Sequence, residues 1–186
     1  MKTRDIRWLL VLLANLLLIW LGGVANHHLS QFPLPFSRIS ATVYLYLAGL
    51  LVVFSGLRLD PRHGLAATVL TAFALDATLP VPFGLHVVLL GLVHATLLYG
   101  RSRFPKDEPV FATVVALFAN LFLFLALSVV LVGRSPRPAE AWLRLFVDLI
   151  ASQLVIALIT PWFIALQREM LALARLTPET GKRTDL

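Results

Sequence analysis

Six apolar runs, none much longer than a bilayer is thick, follow one another along this chain with only short polar breaks between them. They cover about 8–25, 39–57, 64–80, 85–100, 109–132 and 142–166. That succession constrains the fold more than any motif. A run of about 17–25 apolar residues is the length at which a helix crosses hydrocarbon. With 59% hydrophobic and 14% charged residues in 186, a soluble domain would lack the polar surface to cover itself. The expected fold class is all-α: one polytopic membrane domain over 1–186, six transmembrane helices, with no separate soluble domain. The first run follows Lys2, Arg4 and Arg7 and ends in Gly23-Val24-Ala25, as a signal peptide would. Its length of about 18 residues makes it an uncleaved first span.

The basic residues orient the runs. With the N-terminus inside, twelve of the sixteen Lys and Arg residues fall on the cytoplasmic side. Only Arg38, Arg134, Arg137 and Arg144 fall outside. This bias places both termini in the cytoplasm. Trp8, Trp20, Trp142 and Trp162, with Tyr44, Tyr46 and Tyr99, fall near the predicted span ends, where an amphipathic ring suits the headgroup level. The net charge of +6 is scattered over helix ends. It therefore points to membrane lipid and not to nucleic acid. The absence of cysteine removes disulfides and thiolate metal sites.

Within lipid, function shows as polar side chains that an apolar span does not need. These are Asn15, Asp76, His86, His94, Asn120, Asp148 and Gln153. Asp76 lies four residues before Pro80, and His86 lies four after Pro82, on the far side of the turn. The two can therefore meet across a hairpin. The carboxylate can tie down the turn by accepting backbone N–H groups, line a partner or lumen surface, or carry protons. If its role is that of an anchor, a neutral Asp76→Asn change is tolerated. Asp148 follows Arg144 at i,i+4 and reads as half of a solvated ion pair. Asn15, Asn120 and Gln153 read as interhelical glue, and Gly49, Ala67, Gly91, Ala116, Ala119, Ala151 and Ala157 as sites of close helix contact. Ser128, Ser152 and Thr160 call for no special role. No Gly-x-Ser-x-Gly, His-Glu-x-x-His or Gly-rich phosphate loop occurs. No cofactor and no catalytic or metal residue is expected.

The hairpin reads Ala-Leu-Asp76-Ala-Thr-Leu-Pro-Val-Pro-Phe-Gly84-Leu-His86-Val, and the last run ends in Pro161-Trp162-Phe-Ile-Ala-Leu-Gln-Arg168. An apolar helix carrying Asp, with a Gly opening the next helix eight positions later, resembles the core signature of the rod shape-determining MreD family. The Pro-Trp followed by a basic residue is similar to the end of that family's last helix. The chain departs from the family pattern at Ala72, where Gly is usual, and in its Pro-rich turn. The resemblance implies a non-enzymatic scaffold of bacterial cell elongation in the inner membrane. It would work beside an MreC-like bitopic protein, with RodA and class B penicillin-binding proteins as further partners, and MreB indirectly. Asp76, Gly84, His86, Pro161, Trp162 and Arg168 would then be structural or partner-docking positions. The family's helices also resemble the substrate-binding subunits of energy-coupling-factor transporters. That likeness gives the alternative, a small-molecule uptake subunit with an outward cavity lined by Asp76 and His86. The first run carries a lone Ala14 and no small-residue stripe for a coupling protein.

Overall fold

The computed structural model describes residues 6–31, 43–102, 108–133 and 136–173. Six helices and no strand occur among them: α1 Arg7–Leu29, α2 Ala48–Arg58, α3 Pro61–Thr78, α4 Leu85–Gly100, α5 Pro109–Val132 and α6 Pro138–Leu173. Proline opens three of these helices. Its missing N–H costs nothing in the first turn, and its fixed φ suits the helix. At α3 the cap is complete, because the Asp60 carboxylate also accepts the Arg62 N–H at 3.3 Å. Leu79 leaves the helix in an extended conformation, as a residue before proline tends to.

Helix α2 is the axis. All of its residues except Arg58 are buried, and each of the other five helices packs against it. Gly49 sets the closest approach: a Cβ there would lie 2.3 Å from the Asn120 backbone N. The α5 backbone thus sits where a side chain would be. The freed Gly49 N–H donates to Asn120 Oδ1 at 3.1 Å. Of the other small residues, Ala67, Ala116 and Ala119 are buried. Gly91 faces open space, and Ala157 is exposed.

The outer faces are apolar. Leu13 and Trp20 of α1, Phe118 and Val129 of α5, and Leu154, Leu158 and Trp162 of α6 are all exposed. A surface of this kind suits a hydrocarbon solvent and would associate in water. Among the described residues, three helices are long and apolar enough to cross a membrane: α1, α5 and α6.

Several expectations change. Of the second run, residues 39–42 lie outside the described residues, and 43–47 are not helical, so helix begins only at Ala48. Helix α1 runs on to Leu29. Helix α6 has 36 residues, Pro138–Leu173, so it is longer at both ends than the expected run, with Pro161 inside it as expected. Tyr46 is not at a span end facing headgroups; it is a core residue. The basic positions Lys2, Arg4, Arg38, Arg103, Lys106, Arg134, Arg175, Lys182 and Arg183 lie outside the described residues.

Candidate functional site

Asp76 sits in the last turn of α3, and its carboxylate reaches the first turn of α4 across the Pro-rich turn. Oδ2 accepts the Gly84 N–H at 2.8 Å, and Oδ1 accepts the His86 N–H at 3.1 Å. Helix α4 has no cap from its own N-cap residue, Gly84, which holds φ +93°. A carboxylate from the preceding helix caps it instead, where the helix dipole favours negative charge. Gly84 answers two demands: a left-handed conformation that side chains rarely adopt, and an N–H aimed at Asp76.

The same carboxylate meets the His86 ring, with Nδ1 2.7 Å from Oδ1. The other ring nitrogen, Nε2, lies 2.9 Å from the Tyr46 hydroxyl. One tautomer satisfies every group: Nδ1–H donates to Asp76, and Nε2 accepts the phenolic O–H. All three side chains are buried, and Tyr46 packs edge-on against Phe124 with ring centroids 5.8 Å apart. Burying an acid without partners is costly. Here three donors converge on it, two from backbone and one from imidazole.

Tyr46 belongs to the non-helical stretch 43–47, whose backbone groups need partners because no helix supplies them. Side chains from α1 and α6 provide them. Asp148 Oδ1 accepts the Tyr44 N–H at 2.8 Å, and Asn26 Oδ1 accepts the Leu45 N–H at 2.7 Å. Ser152 Oγ accepts the Tyr46 N–H at 2.9 Å, and Asn26 Nδ2 donates to the Leu45 carbonyl at 3.0 Å. Buried irregular backbone persists only where its N–H and C=O groups find such partners. Asp148 is therefore not half of a solvated surface pair: it is buried, and its Oδ1 holds a backbone N–H. Ser152, for which no role was expected, is one of the clasps.

The other polar residues divide between glue and packing. Asn15 donates to the Leu51 carbonyl at 3.0 Å and to Thr71 Oγ1 at 3.1 Å, and Gln167 Nε2 donates to Asn15 Oδ1. Gln153 donates to the Leu117 carbonyl. His94 Nδ1 lies 3.1 Å from Thr68 Oγ1, which also meets Ser55 Oγ at 2.9 Å. Pro161 and Trp162 do not join the Asp76 cluster. They are exposed on the outer side of α6, while Arg168 is half-buried further along it.

Two cavities flank the 43–47 stretch, with Tyr44, Tyr46 and Leu79 lining both. The larger, about 670 Å³, opens between α1 and the end of α3. The smaller, about 400 Å³, lies between α5, α6 and residues 79–81. Neither is lined by Asp76 or His86, because those side chains are turned onto each other. No group of His, Asp or Glu suited to a metal ion occurs among the described residues. Comparisons with family models, curated proteins and solved structures give no match to this chain.

Proposed function

We propose that the chain is a multi-pass scaffold of the bacterial inner membrane, of the MreD type. In this reading it carries no catalytic site, and it helps maintain rod shape by positioning peptidoglycan synthesis beside an MreC-like bitopic protein. The observation that carries the reading is the closed hydrogen-bond chain Tyr46–His86–Asp76. Its acid is fully engaged in fixing the hairpin, and nothing is left over for turnover. The rigid hairpin tip presents Phe83, 71% exposed and stacked on Phe73 at 5.4 Å. Such an exposed aromatic pair on a preorganised turn suits a partner.

Six crossings are part of the proposal. Helix α2, with 11 residues, covers only about 16 Å. A crossing at this position therefore also draws on the non-helical stretch 43–47 in front of it, since a bilayer core is about 30 Å thick. Alkaline phosphatase fused after Gln31, Pro82 or Gly133 is expected to be active, and after Asp60, Arg101 or Leu173 inactive. Activity at Leu173 would overturn the orientation.

Depletion in the source cell tests the function directly. Rounded cells with dispersed wall insertion are expected; rods that keep their shape and insertion pattern would sink the scaffold reading. Flanking genes for an actin-like protein and a single-span coiled-coil protein would support it, and transporter ATPase genes would favour the uptake alternative. The cavity of about 670 Å³ is what favours that alternative, although Asp76 and His86 do not line it. A metabolite released from the purified protein on denaturation would revive it.

A further inference from the structure

The smaller cavity has a composition unlike the larger one. Leu79, Phe124, Leu127, Leu131 and Leu145 form its walls, and Arg144 and Asp148 mark one polar corner beside Tyr44. Its volume of about 400 Å³ falls in the range of small-ligand sites. The Asp148 carboxylate already holds the Tyr44 N–H at 2.8 Å, which fixes the cavity wall. Arg144 is exposed at the corner, and a guanidinium is the side chain best matched to a phosphate diester. The larger cavity is lined by no Lys or Arg among the described residues. From these facts we infer that the smaller cavity binds a membrane phospholipid, its headgroup phosphate on Arg144 and part of one chain along the α5–α6 wall.

Two features favour a lipid over free phosphate. A dianion would face one guanidinium, a neighbouring carboxylate and otherwise apolar walls, a poor exchange for its hydration. A diester carries a single charge, and its chain fills the apolar remainder. Apolar side chains are also exposed next to the cavity's polar corner. Trp142 and Leu143, beside Arg144, are 46% and 62% exposed, so the lipid-facing side of α6 starts at this level. An indole there suits the headgroup depth.

The test uses the full chain purified in neutral detergent, with affinity read by native mass spectrometry and by the thermal unfolding midpoint. The probes are phosphatidylglycerol, diacylglycerol with the same chains, and inorganic phosphate. Phosphatidylglycerol is expected to bind about tenfold more tightly than diacylglycerol, the worth of a charge-assisted contact. Inorganic phosphate should leave the midpoint unmoved. Arg144→Gln should reduce phosphatidylglycerol to the diacylglycerol level, and Arg144→Lys should restore part of the preference. Ala141→Phe, which narrows the cavity from its half-exposed rim, should weaken both lipids. Equal affinity for the two lipids in the unaltered chain would overturn the inference. So would an equal effect of phosphate alone, or a preference that survives Arg144→Gln. Should Ala141→Phe fail to fold, the Gln and Lys variants at Arg144 still decide.

Discussion

His86 and His94 lie eight residues apart on α4, both buried, and the bundle uses them differently. His86 has both ring nitrogens engaged, one by Asp76 and one by Tyr46. His94 has Nδ1 on Thr68, while its Nε2 is buried without a hydrogen-bond partner among the described residues. The contrast extends to the two ends of the molecule. At the hairpin end, carboxylate, amide and hydroxyl oxygens hold backbone that is not helical. At the other end, ordinary helices meet through small residues: a Cβ on Gly64 would lie 2.6 Å from the Ser55 carbonyl and 3.0 Å from the His94 ring. The lesson is that equal burial does not mean equal function. One histidine is a structural link in a polar chain, and the other fills space beside glycine.

The strongest way to break this comparison is to remove the acid. Asp76→Ala strands the His86 N–H and Nδ1–H in the interior and the Gly84 N–H at its half-buried edge, and should lower stability by about 3–5 kcal/mol, the usual cost of breaking a buried pair. Asp76→Asn, a change that an anchoring role was expected to tolerate, should carry a smaller cost. Its single oxygen serves the His86 side, while its NH₂ faces the Gly84 N–H, donor against donor, for about 1–3 kcal/mol. Chemical unfolding in detergent should rank the three proteins in that order. Equal stability of all three would mean the chain Tyr46–His86–Asp76 contributes nothing.

Next comes the packing of the central helix. Gly49→Ala places a carbon against the α5 backbone, which cannot rotate away as a side chain would, so α2 and α5 must separate and the Asn120 bond stretches. Overpacking of this kind costs about 1–3 kcal/mol, and the same unfolding assay reads it. Gly84→Ala should cost less, about 1–2 kcal/mol, from the left-handed backbone alone, since a Cβ there meets nothing within 4 Å. A larger loss at Gly84 would show that the turn also reshapes around Asp76.

Some of this was legible in the chain. Asp76, Gly84 and His86 are close in sequence, and prolines fix the turn between them, so local spacing alone brings carboxylate and imidazole together. The non-helical stretch was not legible. Val43 to Leu47 is as apolar as the helix that follows, and periodicity cannot separate a short apolar strand-like run from buried helix. What permits the break lies far away: Asp148 and Ser152 are 104 and 106 residues from the N–H groups they hold. Asp148 was misread for the same reason, because the i,i+4 neighbour Arg144 is visible locally and the Tyr44 backbone is not. Pro161 was legible as a residue inside the last span, and α6 does run through it.

The smallest expected effect is the sharpest discriminator between the two histidines. His94→Phe replaces a ring whose Nε2 is already unpartnered, and Thr68 Oγ1 keeps its bonds to Ser55 and to the Gly64 carbonyl. Exchanging a half-satisfied polar ring for an apolar one of similar shape should change stability by less than about 1 kcal/mol, in either direction. His86→Phe is the matched control. It leaves the Asp76 carboxylate one donor short and the Tyr46 hydroxyl without its acceptor, and should cost about 3 kcal/mol or more. The difference between the two variants, measured in one detergent by unfolding midpoint, isolates the hairpin chain from the general cost of altering α4. If both lose the same amount, the polar chain at the hairpin end has no special worth, and α4 is held by packing throughout.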